Sequence, residues 1–197
     1  MQRISLGMAD VKIDDVQICR YLRLYGRAPG AALEARIREM REAADAVIRP
    51  ARIWRRFEDV AIAGGAGSQS LAKHLAGCHA VYLVCATIGV AFDALQRRTA
   101  AVSASDAFVL QAIGAAAVEA LMDGVELEIR RELQEGESLV SRYSPGYGDY
   151  PLAEQRRLLS ILDAPRKVGV SLTDALVLAP SKSVSAVIGV RREAKGA

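Results

Sequence analysis

The sequence has few aromatic residues, few cysteines and only a small excess of positive charge. Phe, Trp and Tyr make up 5% of the 197 residues, so we expect a core built mostly of Ala, Val, Leu and Ile. The net charge of +3 is too small to identify a nucleic-acid-binding protein. With 51% hydrophobic and 25% charged residues, the composition excludes the disordered and fibrous classes. The length predicts a single domain over residues 1–197.

Metal-ligating residues are also scarce. The three cysteines form no CxxC pair, and the two histidines, His74 and His79, lie on either side of Cys78. A tetrahedral zinc site needs four well-spaced ligands, so we expect no metal site. The first residues contain no long apolar run and no small-residue cleavage site, which predicts no secretory signal and a cytoplasmic location.

Hydrophobic periodicity predicts helices in both halves of the chain. Apolar residues recur at helical spacing over 13–25 and over 31–48, so residues 1–60 are expected to form a helical N-terminal part. Residues 61–197 are expected to form an α+β core. Further helices are predicted from Ser68 or Ser70, over 90–98 and over 152–162.

Three segments have the composition of strands. The continuous apolar run 80–86, with its β-branched and aromatic members, predicts a buried strand. Segments 175–179 and 184–190 predict two strands joined in a hairpin around Pro180.

A long apolar helix is predicted over residues 107–122, where Gln111 and Glu119 are the only polar residues. It is shorter than the ~18 apolar residues of a spanning helix, and it continues into Asp123 and Glu126. We therefore expect a buried core helix and no membrane segment. Glu119 needs a partner in these surroundings, which is either an arginine of the chain or a cationic group of a ligand. The residues alone favour neither.

A short basic segment offers a different hypothesis. Four arginines between positions 49 and 56 surround Trp54 and Phe57, a combination that could bind a phosphate backbone. A solvated edge with its aromatic rings turned inward explains the same residues, and we favour it. We therefore expect no nucleic-acid partner.

The segment 141–151 is dense in Pro, Gly and Tyr, which precludes a regular helix and predicts a loop of defined turns. Its residues 142–148 are Arg142-Tyr143-Ser144-Pro145-Gly146-Tyr147-Gly148. They resemble Arg-Pro-Ala-Pro-Gly-Tyr-Pro, the signature of the activation domain of cobalamin-dependent methionine synthase. Tyr143 and Ser144 replace the Pro and Ala of that signature.

The order of the surrounding segments is similar as well. That family has a Glu-Ala pair in a long helix before the loop, where this chain has Glu119-Ala120. A helix, an apolar strand ending in proline and a Ser-Val-Ser segment follow the loop, as in 152–162, 176–180 and 183–185 here. The resemblance covers about residues 107–189. It implies an α+β fold with a central, mostly antiparallel, twisted sheet flanked by helices and a long buried core helix.

The resemblance also implies a function. Such domains bind S-adenosylmethionine and hold it over cobalamin, where one-electron reduction of inactive cob(II)alamin, coupled to methyl transfer, restores methylcobalamin. No cobalamin-binding Asp-x-His-x-x-Gly motif is present, so the implied cobalamin lies on another chain. The chain is thus expected to be a free-standing accessory subunit for a cobalamin-binding methionine synthase chain, with a flavodoxin-like electron donor, and to be inactive alone. An interaction or scaffold protein of the same fold without ligand binding is the alternative.

The resemblance assigns roles to particular residues. Arg142 would contact the carboxylate of the ligand, and Ser144, Gly146 and Tyr147 would contact the rest of it. Glu119 would serve its polar groups. Asp14 or Asp15 are the candidates for an acidic contact from the N-terminal part.

Overall fold

The computed structural model describes residues 2–6 and 12–192. Seven strands lie in these residues: β1 (Gln2–Leu6), β2 (Ala51–Phe57), β3 (Cys78–Thr87), β4 (Glu137–Leu139), β5 (Ser171–Leu172), β6 (Leu178–Ala179) and β7 (Ser183–Arg192). Their helices are α1 (Asp15–Tyr21), α2 (Ala31–Val47), α3 (Gln69–His74), α4 (Val90–Val102), α5 (Ala104–Arg130), α6 (Glu154–Leu162) and α7 (Ala164–Val168), with a 3-10 turn at Val60–Ala63.

The main sheet has the order β1-β2-β3-β7-β4, and all of its neighbouring strands are antiparallel. Strands β5 and β6 form a separate two-stranded ribbon. The predicted α+β fold with an antiparallel sheet is therefore confirmed.

Strand β3 is continuously apolar because both faces of the sheet are covered. Tyr82 and Val84 belong to one core cluster, with side chains of α2 and α5, whereas Val81 and Leu83 belong to a second cluster with side chains of α6 and α7. A strand buried on both faces loses the alternation of polar and apolar residues. The predicted strand 80–86 lies within β3.

Helix α5 forms the centre of the first layer. Its N-cap is Ser103, whose hydroxyl accepts a hydrogen bond from the Asp106 N–H at 3.3 Å. The helix is long and apolar enough to cross a membrane, but most of its apolar window is buried inside the fold. It is the predicted core helix, and it extends eight residues beyond Met122 to Arg130.

The prediction of a helical N-terminal part over 1–60 is wrong in two places. Besides α1 and α2, this part contains β1 and β2, while residues 7–11 lie outside the described residues. Strand β2 is an inner strand between β1 and β3, not a solvated edge. The strand was not predicted because its arginines interrupt the apolar pattern. One of them, Arg52, is nevertheless buried, since it pairs with Glu128 at the boundary between the sheet and α5. The Trp54 ring points inward as expected and is 2% exposed.

The predicted hairpin around Pro180 is also wrong. Strand β6 pairs with β5, whereas β7 pairs with β3 and β4. The intervening turn is held instead by α4, because the Ser181 N–H and hydroxyl both donate to the Asp93 carboxylate, at 2.9 and 2.7 Å. Long-range pairing with the buried β3 prevails over the local turn signal.

Candidate ligand-binding site

The loop 141–151 is tied to the sheet at its beginning. Tyr143 forms an isolated antiparallel bridge with Val187 of β7, with reciprocal backbone hydrogen bonds of 2.8 and 2.9 Å. The Gly146 N–H then donates to the Tyr150 carbonyl at 2.8 Å, which closes a turn. Gly146 has φ +97°, a conformation that favours glycine.

The end of the loop is tied to α3. The Asp149 carboxylate accepts hydrogen bonds from the Ser68 hydroxyl at 2.6 Å and from the N–H groups of Gln69 and Ser70 at 2.8 and 3.0 Å. These bonds, led by that from Ser68, hold the pKa of Asp149 well below its usual range. A Cβ at Gly148, where φ is +54°, would lie 2.6 Å from Ser70 Oγ, so glycine allows this close approach.

Aromatic rings fix the middle of the loop. The Tyr150 ring is buried, and its hydroxyl donates to the Ala63 carbonyl at 2.6 Å. The Tyr143 ring stacks on His74 with centroids 4.6 Å apart. The loop thus has anchors on β7, on α3 and in the core, which makes it a preorganised surface.

Arg142 lies where this loop meets α5. Its guanidinium donates to Glu119 and Glu126 at 2.6 Å each and to Asp123 at 2.8 Å. The three acids occupy positions i, i+4 and i+7 of α5, so they share one face of the helix. Burial acts to lower the pKa of Arg142, but the three hydrogen-bonded carboxylates outweigh it, and the pKa is raised.

The arginine keeps unused hydrogen-bonding capacity. A guanidinium has five N–H donors, and the three ion pairs use Nη1 and Nη2. Nε–H and one N–H of Nη2 have no partner among the described residues. Two such donors suit a carboxylate oxygen pair of a ligand.

Two clefts meet at the Glu119–Arg142 ion pair, since both residues line each of them. The first, the loop cleft, has a volume of about 420 Å³ and is otherwise uncharged; its other lining residues are Tyr143, Ser144, Pro145, Tyr147, Gln155, Leu178, Ser183, Val184 and Ser185. The second, the charged cleft, lies between α1 and α5 and has a volume of about 570 Å³. Among the described residues it is lined by four basic and four acidic side chains. Both volumes fall in the range of about 300–1,000 Å³ that is typical of small-molecule sites.

The structure brings together most of the predicted site residues. Glu119, Arg142, Ser144 and Tyr147 all line the loop cleft. Gly146 does not line it, because it forms the turn that faces Leu152. Its contribution to the site is therefore the shape of the loop.

Of the two N-terminal candidates for an acidic ligand contact, only one lies at one of these two clefts. Asp14 lines the charged cleft, where its side chain also caps α1 by accepting the Val16 N–H at 2.9 Å. Asp15 lies outside this cleft and is paired with Arg41. Of the two, only Asp14 is placed to contact a ligand next to Arg142.

The expectation that Glu119 is surrounded by apolar groups needs correction. Its side chain is 39% exposed, and Arg142 is its ion-pair partner. The apolar neighbours in the sequence, such as Ala117 and Leu121, lie on the buried side of α5, whereas Glu119 faces the clefts. The carboxylate of Glu119 is thus paired with Arg142 of the same chain, and it is still exposed enough for a ligand to reach it.

Sequence reasoning missed other residues of the site. Asp123 and Glu126 were noted only as the polar end of the core helix, although their spacing from Glu119 places them on the same helix face. Tyr21 of α1 is a further neighbour. Burial raises the pKa of Tyr21, with a smaller contribution from the nearby charge of Glu119. Within the described ranges 2–6 and 12–192, no cluster of three or more His, Cys, Asp or Glu side chains could hold a metal ion.

A solved structure shares this fold. The chain is similar to the solved crystal structure of the MetH reactivation domain bound to AdoHcy, with a TM-score of 0.63 and 14% sequence identity. The similarity covers 99% of this chain and 80% of that chain, and it shows a common fold. A comparison with curated protein sequences finds no match.

The family follows from the sequence. Residues 72–196 match the model of the vitamin B12-dependent methionine synthase activation domain. The chain belongs to this family. The resemblance that the loop and its flanking segments suggested is thereby confirmed.

Proposed function

We propose that the chain binds S-adenosylmethionine at the junction of the two clefts and supports the reductive reactivation of a cobalamin-dependent methionine synthase. Cobalamin would be bound by another chain, and a flavodoxin-like protein would supply the electron. The observation that carries this proposal is the placement of Arg142, held by three carboxylates of α5, between an uncharged cleft and a charged one.

The chemistry of the two clefts matches the two ends of this ligand. The uncharged loop cleft, with its tyrosine and proline side chains, suits the adenosine part. The charged cleft suits the zwitterionic amino-acid end. The ligand carboxylate would accept from the free donors of Arg142, and its ammonium group would lie near Asp14 or Glu119.

The charge immediately around Arg142 favours a cationic group. Three carboxylates surround this one guanidinium, an excess of two negative charges, although acidic and basic side chains are equal in number over the whole charged cleft. S-adenosylmethionine carries a sulfonium, an ammonium and a carboxylate, hence one net positive charge. The product S-adenosylhomocysteine is neutral overall, so we expect the methylated ligand to bind more tightly.

Isothermal titration calorimetry with three ligands tests the binding. We expect S-adenosylmethionine to bind more tightly than S-adenosylhomocysteine. We expect 5′-methylthioadenosine, which lacks the amino-acid end, to bind at least about tenfold more weakly than S-adenosylhomocysteine, because it loses the charge-assisted bonds to Arg142. Absence of binding by all three would favour the scaffold alternative.

A reconstitution assay tests the role in reactivation. The partner would be a methionine synthase chain that lacks its own activation domain and has been inactivated in the cob(II)alamin form. With S-adenosylmethionine and a reduced flavodoxin, we expect recovery of activity only when this chain is added. Recovery that is independent of the chain would contradict the proposal, as would methyl transfer to a small acceptor by the chain alone.

A further inference from the structure

A third depression lies between α1 and α2, and among its lining residues only Arg20 also lines one of the two clefts described above. It has a volume of about 870 Å³, and its walls are α1, the connection 22–30 and α2. Its apolar lining comes from Val16, Cys19, Tyr25, Pro29 and Ile37. We refer to it as the α1–α2 groove.

Two large apolar side chains at this groove are exposed to solvent. The exposed fractions are 71% for Val16 and 80% for Tyr25. The backbone of Tyr25 has φ 46° and that of Arg23 has φ 61°, which costs about 1 kcal/mol or more for a residue with a side chain. Because the Tyr25 ring is exposed, burial of this ring among the described residues does not explain the unfavourable conformation. Exposed apolar side chains rimmed by charges are typical of interaction sites.

The charges around the groove are predominantly positive. Four arginines and two carboxylates line it, and one arginine, Arg41, is paired with Asp15. Arg20, Arg27 and Arg38 form no ion pair with any of the described residues, and each is exposed. They leave the groove with more positive than negative charge and with exposed guanidinium donors that are available to a partner.

We propose that the α1–α2 groove binds an acidic, amphipathic segment of a partner protein. The apolar side chains of that segment would cover Val16 and Tyr25, and its carboxylates would pair with Arg27 and Arg38. Charge complementarity of this kind favours specific association and rapid encounter. Helix α1 also forms a wall of the charged cleft through Gln17 and Arg20, so the bound segment would lie one helix away from the candidate ligand site. The proposal does not depend on the identity of the ligand.

Fluorescence anisotropy with synthetic peptides tests the proposal. The probe is a labelled helical peptide with leucines on one face and glutamates on the other, and its counterpart carries lysines in place of the glutamates. We expect the acidic peptide to bind at least about tenfold more tightly and its affinity to fall as salt is added.

Charge-reversal variants test whether the acidic peptide binds at the α1–α2 groove. We expect Arg27→Glu combined with Arg38→Glu to weaken binding of the acidic peptide by about tenfold or more. Arg97→Glu combined with Arg98→Glu, on the exposed side of α4, is the matched control and should leave the affinity unchanged. A thermal melt of each variant verifies that it is folded.

Several results would overturn the proposal. Equal affinity for the acidic and basic peptides would do so, as would equal loss of affinity in both pairs of variants. Reversible dimerisation that the Arg27 and Arg38 changes abolish would assign the groove to a second copy of the chain. Tighter binding of duplex DNA than of the acidic peptide would assign it to nucleic acid.

Discussion

Arg56 and Arg142 each bind more than one carboxylate, but their surroundings differ. Arg56 on β2 donates two hydrogen bonds to Glu137, of 2.8 and 2.7 Å, and two more to Glu58, of 2.7 and 3.3 Å. The Glu137 side chain is only 1% exposed. Around Arg142, by contrast, Glu119 and Asp123 are 39% and 67% exposed, and two clefts open beside the ion pairs.

The difference separates the structural role of Arg56 from the binding role proposed for Arg142. At Arg56 the Glu137 carboxylate is enclosed, so a ligand cannot reach it and loss of its charge is expected to destabilise the fold; only the second partner, Glu58, is exposed, at 71%. At Arg142 solvent screens the ion pairs, which reduces their contribution to stability, and donors remain for a ligand. Two clusters of similar composition are thus expected to respond oppositely to the same kind of substitution.

The largest effect is expected for the pair of Arg56 with the buried Glu137, which we call the closed cluster. Glu137→Gln should lower the free energy of unfolding by about 3 kcal/mol, because it leaves Arg56 with only Glu58, which is 71% exposed, and removes the buried charge in contact with His79 at 2.9 Å. Urea denaturation measures this. Glu119→Gln is the matched control, and it should cost less than about 1 kcal/mol because Arg142 keeps two other carboxylates. Equal losses of unfolding free energy in Glu137→Gln and Glu119→Gln would contradict the distinction between the two clusters.

Acid should weaken the closed cluster in a defined range. The hydrogen bonds from Arg56, above all, lower the pKa of Glu137 to about 2. A carboxylate with a depressed pKa contributes stability above its unfolded value of about 4.5 and loses that contribution as the pH falls towards 2. The loss is about 3 kcal/mol. Denaturation of the wild type and of Glu137→Gln at several pH values isolates it, since the variant should lack this part of the acid dependence.

Substitutions in the cluster of Arg142 with its three carboxylates, which we call the open cluster, should change ligand affinity more than stability. Arg142→Ala is expected to weaken S-adenosylmethionine binding by about 1.5–3 kcal/mol, the contribution of a lost charge-assisted bond. Calorimetry measures the affinity, and Arg166→Ala, at an 81% exposed side chain, provides the control. Unchanged affinity with a lowered melting temperature would make Arg142 an anchor of the loop only.

Glu119→Gln should have a smaller effect on the same equilibrium. We expect about a tenfold loss of affinity for S-adenosylmethionine, because the change removes one of the negative charges next to the cationic groups of the ligand. Affinity for neutral S-adenosylhomocysteine should fall less. A parallel loss for both ligands would show that Glu119 acts only by holding Arg142.

The smallest effect on affinity and stability is expected for Asp123, the most exposed of the three acids that pair with Arg142. Asp123→Asn should change the affinity less than about threefold and the stability less than about 0.5 kcal/mol, because water screens this pair strongly. Calorimetry and urea denaturation of the variant measure both quantities. A loss as large as that of Arg142→Ala would mean that the exposed acid controls the position of the guanidinium.

Much of the architecture could be predicted from local patterns. The apolar run of β3, the cap and apolar length of α5 and the Pro- and Gly-rich loop each have a short-range signal, and each is present in the structure. The prediction failed at β2, where buried Arg52 interrupts the apolar pattern. The predicted strand 184–190 lies within β7, but its pairing was predicted wrongly, because its partner β3 lies far away in the sequence. Ion pairs and strand pairing between distant segments leave no periodic signal.

The sequence by itself determined the family, the core helix and the residue types of the candidate site. Only the tertiary structure decided that Glu119, Asp123 and Glu126 meet Arg142, that Asp14 and not Asp15 reaches the charged cleft, and that Gly146 shapes the loop without lining it. The reason is geometric. Helical spacing places the three acids on one face of α5, but the packing of α5 against the sheet, together with the anchors of the loop on β7 and α3, determines what that face meets.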